Sequence, residues 1–177
     1  MIIGDEKLEI RELLESDKFF WVKWLNDPLI LQYYEGRDNP HDTEMVNQNF
    51  YQQEDNVTCC IIEFEQKAIG YIQFYPLDSQ EKKEYGYGDL DNIYGTDQFI
   101  GEIDYRDKGI GTRLMKLMIG HLMYKQHSEK IVLDPQAWNQ RAIACYEKCG
   151  FKKVKYLSKH EYHEGELRDC WLMEYSK

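Results

Sequence analysis

The chain predicts an α/β fold, a mixed sheet of about seven strands with helices flanking it. Three observations predict it. A strand-like segment, Asp97-Gln98-Phe99-Ile100-Gly101-Glu102, runs into the glycine turn Arg106-Asp107-Lys108-Gly109-Ile110-Gly111-Thr112. That turn opens a helix with Leu114, Leu117, Met118 and Leu122 on one face. Further on, Asn139 caps a short helix carrying Ala142, Ile143 and Tyr146 on one side, and Gly150 stands where a helix ends. Around these two units, short apolar runs with strand periodicity alternate with helical ones, without an internal repeat or a low-complexity linker. The 177 residues are read as one domain, 1–177, large enough to bury its own core.

The elements follow in order. Leu8-Glu9-Ile10-Arg11 reads as a first strand, and Ser16 or Asp17 can cap a helix holding Phe20, Trp21, Trp24 and Leu25. Asp27-Pro28 breaks that helix, and Asp42 or Thr43 opens another with Met45, Val46 and Phe50. Thr58 to Phe64 and Ala68 to Tyr75 form two strands around Glu65-Gln66-Lys67, a hairpin. A connection rich in Tyr, Gly and Asp, Pro76 to Thr96, reads as a long loop before the Asp97–Asp104 strand. After the glycine-turn helix come the Lys130–Asp134 strand, the Asn139 helix, and final strands over Lys152–Leu157 and Cys170–Tyr175.

The glycine turn has a chemical meaning. A helix start exposes backbone N–H groups that lack intrahelical partners, together with the positive end of the helix dipole. Gly109 and Gly111 let an anion approach that backbone, and Arg106 and Lys108 add positive charge. The pattern is neither of the two common nucleotide loops. A dinucleotide fold wants a third glycine where this chain has Leu114, and a Walker loop wants Gly-Lys-Ser/Thr where it has Gly111-Thr112-Arg113.

Composition narrows the partners. The 32 acidic and 22 basic residues give a net charge of −10, which argues against nucleic acid and anionic membranes. The acidity is concentrated: residues 78–107 hold Asp78, Glu81, Glu84, Asp89, Asp91, Asp97, Glu102, Asp104 and Asp107 against Lys82, Lys83 and Arg106. Such a stretch attracts a polycationic amine. No apolar run approaches the ~20 residues of a membrane span, and Met1-Ile2-Ile3-Gly4-Asp5-Glu6 lacks the pattern of a signal peptide. Cysteines 59, 60, 145, 149 and 170 form no C-x-x-C pair and read as thiols of a reducing cytoplasm. His160-x-x-His163 lacks a third ligand nearby, so no metal site is expected.

The spacing Arg106-x-x-Gly109-x-Gly111 resembles the acyl-CoA pyrophosphate loop of the GNAT superfamily of N-acetyltransferases, and Asn139 to Phe151 resembles that superfamily's second block. Within it the chain is most similar to the aminoglycoside 6′-N-acetyltransferases, notably the acetyltransferase half of bifunctional acetyltransferase–phosphotransferase enzymes. That similarity runs the full length, through Trp24-Leu25-Asn26-Asp27, Tyr34-Glu35-Gly36-Arg37-Asp38, Ile69-Gly70-Tyr71-Ile72-Gln73, the Asp97–Glu102 run, Leu133-Asp134-Pro135 and His163-Glu164-Gly165 with Asp169-Cys170. Tyr34-Glu35-Gly36 replaces a more aromatic, glycine-rich run of many relatives. The phosphotransferase half has no counterpart among these residues.

The resemblance implies a GNAT fold with a mostly antiparallel sheet, acetyl-CoA as cosubstrate and no metal. It places the cofactor on Phe99, Ile100, Gly101, Arg106, Lys108, Gly109, Ile110, Gly111, Thr112, Asn139 and Tyr146. Asn139 would touch the pantetheine arm and Tyr146 would lie near the CoA sulfur. Asp97 takes the position of the general base, accepting a proton from the substrate ammonium directly or through water. A backbone N–H around Phe99 or Ile100 would polarise the thioester carbonyl, and Tyr146 or a water would protonate the leaving thiolate. Asp134 resembles a second substrate carboxylate at a strand's C-terminal end, where open-sheet ligands collect. Trp24, Tyr34 and Tyr71, with Tyr33, Tyr85 and Tyr87, are aromatic candidates for the substrate face.

The activity so implied is acetyl transfer to the 6′-amine of aminoglycosides, in the cytoplasm, by a monomer or homodimer. Acylation of a siderophore or polyamine-like amine is the alternative within the fold. A non-catalytic acyl-CoA-binding sensor is the alternative outside enzymes.

Overall fold

The computed structural model describes residues 1–52 and 56–177, which form two compact units. The first joins Met1–Gln73 to Gln98–Lys108, and the second joins Phe74–Asp97 to Gly109–Lys177. The described strands are β1 (Ile3–Gly4), β2 (Leu8–Glu12), β3 (Thr58–Phe64), β4 (Lys67–Pro76), β5 (Ile93–Ile100), β6 (Lys130–Leu133), β7 (Lys152–His163) and β8 (Glu166–Ser176). Their hydrogen-bonded order is β1-β2-β3-β4-β5-β6-β8-β7, an eight-stranded mixed sheet. The pair β5–β6 is parallel, whereas β1–β2, β2–β3, β6–β8 and β7–β8 are antiparallel. The strand beyond the seven expected is β1, whose two residues are too short to show a period.

In the first unit, Asp27-Pro28 both ends one helix and starts the next. Helix α1 (Lys18–Trp24) gives way to α2 (Pro28–Leu31), whose cap Asp27 accepts the Leu29 N–H at 2.9 Å with proline at the first helical position. Asp42 does the same for α3 (Thr43–Val46), accepting from Met45 N–H at 2.9 Å, and the chain then widens into a π-turn over Asn47–Tyr51. Asp17 does not cap α1 as expected. Its buried carboxylate takes two hydrogen bonds from the Arg11 guanidinium, 2.7 and 2.9 Å, and one from Leu14 N–H at 2.8 Å. A forked, charge-assisted pair outcompetes a single capping bond. The core of this unit is aromatic: Trp21, Trp24, Phe50, Tyr71 and Phe99 pack with Leu25, Ile30 and Ile61.

In the second unit, the expected long loop contains a helix, α4 (Ser79–Tyr85). Asp78 and Glu81 form a reciprocal capping box at 2.8 and 2.9 Å, and Gly86 closes the helix at φ +89°. Helix α4 buries no residue, so it leaves no apolar period in the sequence. β5 likewise begins earlier, at Ile93, and stops at Ile100 rather than Asp104, after which Ile103–Tyr105 forms a 3₁₀ turn. Helix α5 (Ile110–Tyr124) buries Leu114, Met115, Met118 and Leu122, and α6 (Gln140–Lys148) buries Ile143. The last two strands are longer than expected and form one hairpin through Glu164-Gly165, with register irregularities between Leu157 and Glu161. Among the described residues, no helix is long and apolar enough to cross a membrane.

Candidate active site

The second unit carries both candidate carboxylates. Asp97 lies inside β5, not at a strand start as expected, and it is half-buried. β5 and β6 run parallel with Gly95 opposite Val132, so Asp97 and Asp134 each follow two residues beyond that registered pair. Half-buried Tyr75 senses both: desolvation raises its hydroxyl pKa first, and the charges of Asp97, Asp134 and Glu81 add to the effect. Tyr75 therefore stays a neutral hydroxyl beside two carboxylates. Tyr85 donates its hydroxyl to Asp134 Oδ2 at 3.1 Å.

His160 completes this cluster and escaped the sequence reading, which weighed it only as a metal ligand. Its Nε2 lies 2.8 Å from Asp134 Oδ2 and its Nδ1 lies 3.1 Å from Glu84 Oε1. The hydrogen bond to Asp134 raises its pKa, burial works against this, and the nearby charges of Asp134, Glu84 and Glu161 reinforce the rise. No spacing in the sequence could bring a β7 residue to a loop after β6 and to α4. Among the described residues, no group of His, Cys, Asp and Glu could hold a metal.

The start of α5 is shaped to receive an anion. Gly109 precedes the helix at φ +76°, a conformation that favours glycine, and a Cβ there would meet nothing within 4 Å. At Gly111 a Cβ would make only ordinary contact, 3.5 Å from Cys145 Sγ. Packing within the fold therefore does not demand glycine at 111. Helix α6 is laid against this turn: Thr112 Oγ1 lies 3.6 Å from Cys145 Sγ, and Cys149 Sγ–H points to Thr112 O at 3.6 Å. The Cys145 thiol pKa is lowered by the Cys149 hydrogen bond, against burial, with help from Thr112, Lys148 and Arg141. Asn139 caps α6 through its side-chain oxygen, 3.2 Å from Ala142 N–H, which directs its amide nitrogen away from the helix. Half-buried Tyr146 packs edge-on to Phe151, with centroids 6.1 Å apart.

The first unit holds the other expected residues. Gly101 N–H and Glu102 N–H both donate to Ile69 O, at 2.8 and 3.0 Å, where the strand end bends away. Glycines permit this crowding. A Cβ at Gly70 would lie 2.3 Å from Phe99 O, and one at Gly101 would lie 2.5 Å from the Trp24 ring. Trp24 is buried beneath that bend and donates Nε1–H to Glu102 Oε1 at 2.8 Å. Tyr71 is also buried, its hydroxyl 2.6 Å from Gln73 Oε1. Expected at the substrate face, Trp24 and Tyr71 are buried members of the aromatic cluster instead, with their polar atoms reaching its edge at Glu102 and Gln73. Half-buried Tyr34 packs on Phe99 at 4.8 Å. Arg106 sends Nε and Nη2 to Ile100 O, at 3.1 and 3.0 Å, and Nη1 to Leu29 O at 3.1 Å. Its guanidinium braces the end of β5. Lys108 is exposed, with Nζ 5.8 Å from the Tyr105 ring centroid.

A mixed sheet with a parallel β5–β6 step, followed by a glycine turn that opens a helix, is compatible with an acyl-group transferase. The chain belongs to the GNAT acetyltransferase family, matching the description "Acetyltransferase (GNAT) domain" over residues 14–159. The aminoglycoside N(6′)-acetyltransferase type 1 of Klebsiella pneumoniae is 28% identical over 157 residues, covering 85% of this chain and 76% of that protein. A solved structure of aminoglycoside acetyltransferase AAC(6′)-Ib with coenzyme A and kanamycin has a TM-score of 0.72 at 26% identity, covering 96% of this chain and 95% of that one. The spermidine N-acetyltransferase of Vibrio cholerae, solved with CoA and spermine, has a TM-score of 0.79 at 16% identity, covering 97% and 96%.

Proposed function

We propose that the protein transfers the acetyl group of acetyl-CoA to the 6′-amine of aminoglycosides. The observation that carries the reading is the second unit's pairing of an open glycine turn at the start of α5 with two carboxylates, Asp97 on β5 and Asp134 just past the end of parallel β6. Similarity to aminoglycoside acetyltransferases supports the choice of substrate.

The turn Gly109-Ile110-Gly111-Thr112 would hold the pyrophosphate on backbone N–H groups, with Lys108 adding charge at its edge. Arg106 acts there through the strand end it braces, since its described donors serve Ile100 O and Leu29 O. Acetyl-CoA supplies an activated acyl group. A backbone N–H at Phe99 or Ile100 is the candidate to bind the carbonyl oxygen, since Gly101 N–H is taken by Ile69 O. Asn139 offers its amide nitrogen to the pantetheine arm, and Tyr146 stands as proton donor to the leaving thiolate.

Asp97 holds the incoming ammonium by a charge-assisted hydrogen bond and then takes its proton, freeing the lone pair that forms the amide. Asp134 binds a second ammonium of the same polycation, and Tyr34 offers an aromatic edge. A polyamine shares the multiple positive charges, so charge complementarity also supports a polyamine-like amine as second reading. The deciding experiment is an acetyl-CoA-dependent thiol-release assay across kanamycin-type and gentamicin-type drugs beside spermidine and spermine. Turnover of the drugs is expected, and turnover of polyamines alone would overturn the aminoglycoside reading.

A further inference from the structure

We infer that His160 is the internal counter-cation of Asp134, and that a substrate ammonium takes its place with release of one proton. The inference rests on the reading of Asp134 as a substrate carboxylate and adds to it a positioning residue and a proton balance.

The geometry of the imidazole carries the argument. Both ring nitrogens face carboxylates, Nε2 toward Asp134 Oδ2 at 2.8 Å and Nδ1 toward Glu84 Oε1 at 3.1 Å. A neutral imidazole has one N–H and one lone pair, so it could donate to only one of them and would turn a lone pair on the other. Only the imidazolium turns an N–H to both, with a hydrogen bond to Asp134 and a close ion pair to Glu84. The His160 side chain is 15% exposed, while the Asp134 carboxylate, at 32%, keeps a face open to an arriving cation.

The groups around it make the same demand. Asp134 faces His160 from the segment after β6, Glu84 and Tyr85 face it from α4, and Glu161 adjoins it on β7. Lys155, on the same strand, directs its ammonium to the Glu84 carbonyl at 2.7 Å. The imidazolium thus answers the Asp134 and Glu84 carboxylates together. Asp134 Oδ2 already accepts from both Tyr85 and His160, so a substrate ammonium arriving at that oxygen must compete with the imidazolium.

Displacement has a definite proton balance. When the substrate ammonium pairs with Asp134, His160 loses the stronger of its two anionic partners and gives its proton to solvent, leaving neutral imidazole. One N–H then remains for Glu84. The sign follows from the raised His160 pKa: between the lower midpoint of the substrate-bound state and the raised midpoint of the free protein the substrate must expel a proton, and above the latter the site is already free of that competitor. Affinity for a polycation should therefore climb by up to about tenfold per pH unit within that window and level off on either side of it. Asp134 is held in place throughout by Tyr85, whose hydroxyl stays protonated because burial and Asp134 itself raise its pKa.

The test measures kanamycin binding by titration calorimetry across the near-neutral pH range, in phosphate and Bis-Tris buffers, whose differing ionisation heats count released protons. Wild type should release up to one proton between the bound-state and free-state His160 midpoints, more than His160→Gln at the same pH. His160→Gln retains an N–H donor for Asp134 but cannot titrate, so its release should vanish and its affinity should lose most of the pH slope. Undiminished proton release in a folded His160→Gln protein would overturn the inference. Nitrogen-15 NMR of the imidazole adds a check that needs no substrate: both ring nitrogens should carry protons at pH 6.5, and the midpoint should fall in Asp134→Asn. A neutral ring at pH 6.5 would also overturn it. If Asp134→Asn bound kanamycin as tightly as wild type, the fault would lie in the substrate role of Asp134, whatever the NMR showed.

Discussion

Tyr75 lies across Gly95, so closely that a Cβ built on the glycine would sit 2.6 Å from the tyrosine ring. The relationship fixes a neutral hydroxyl beside the strand segment that leads to Asp97. Gly95→Ala should force the ring aside and cost about 1–3 kcal/mol, the usual penalty for overfilling a packed site. Thermal unfolding should move down by several degrees, and turnover should fall while acetyl-CoA affinity holds. A melting temperature equal to wild type would mean that Tyr75 can move without cost.

Gly111→Asp tests the turn at the start of α5. The fold tolerates a Cβ there, since Cys145 Sγ at 3.5 Å is the nearest neighbour, so the variant should fold. The carboxylate would nevertheless face the place of the pyrophosphate with like charge. Titration calorimetry should show a collapse of CoA affinity with little change in stability. Unchanged affinity would remove the turn from the cofactor site.

Asp97→Asn keeps the shape and removes both the charge and the proton acceptor. Loss of a general base costs about 10²–10⁴-fold in rate, and the missing charge-assisted bond should weaken substrate binding by roughly 1.5–3 kcal/mol. The defect should shrink with rising pH, because more of the amine then arrives neutral. A pH–rate profile beside wild type reads this directly, and near-normal turnover at neutral pH would shift the base role to Asp134 or Glu102.

Salt should separate the two binding events. Several ammonium groups meeting Asp97, Asp134 and the acidic surroundings of α4 form a screened, multi-charge contact. Aminoglycoside affinity should fall from low to high ionic strength more steeply than CoA affinity does. A flat response would leave charge without a role in substrate choice.

Cys145 should be the most reactive of the five thiols. The Cys149 and Thr112 hydrogen bonds favour its thiolate despite burial, while Cys59, Cys60 and Cys170 are pushed up chiefly by burial. Its place beside Gly111 predicts that CoA protects it. Iodoacetamide labelling at pH 7 followed by peptide mass analysis should find Cys145 modified first, and more slowly with CoA present. Equal labelling with and without CoA would separate the thiol from the cofactor site.

Much of this was readable before any coordinates. Asn139 and Gly150 mark the ends of α6 through local capping chemistry, and the glycines of 109 and 111 mark the start of α5 in the same way. What escaped was decided by distant partners. Asp17 looked like a cap, yet Arg11 claims it across a turn. Trp24 and Tyr71 looked like a sugar-facing surface, yet each is buried in the aromatic cluster and satisfies its polar atom at the cluster's edge. Helix α4 hid because a helix with no buried residue has no apolar rhythm, although its Asp78-x-x-Glu81 signature was there. His160 reaches Asp134 only because the β7–β8 hairpin folds back, which nothing in the linear spacing announces.

The guanidinium of Arg106 has a consequence for how firmly the end of β5 is held. By gripping Ile100 O with two nitrogens and Leu29 O with a third, it ties the last residue of β5 to helix α2, at Leu29. The residue thus anchors the strand end from outside the sheet. A lysine would keep the positive charge, but its single ammonium lacks the planar fork that spans both carbonyls. The strand end would be held less firmly, and with it the backbone N–H proposed to bind the acyl oxygen. On that proposal, accuracy at the reacting carbonyl depends on a side chain that never touches it.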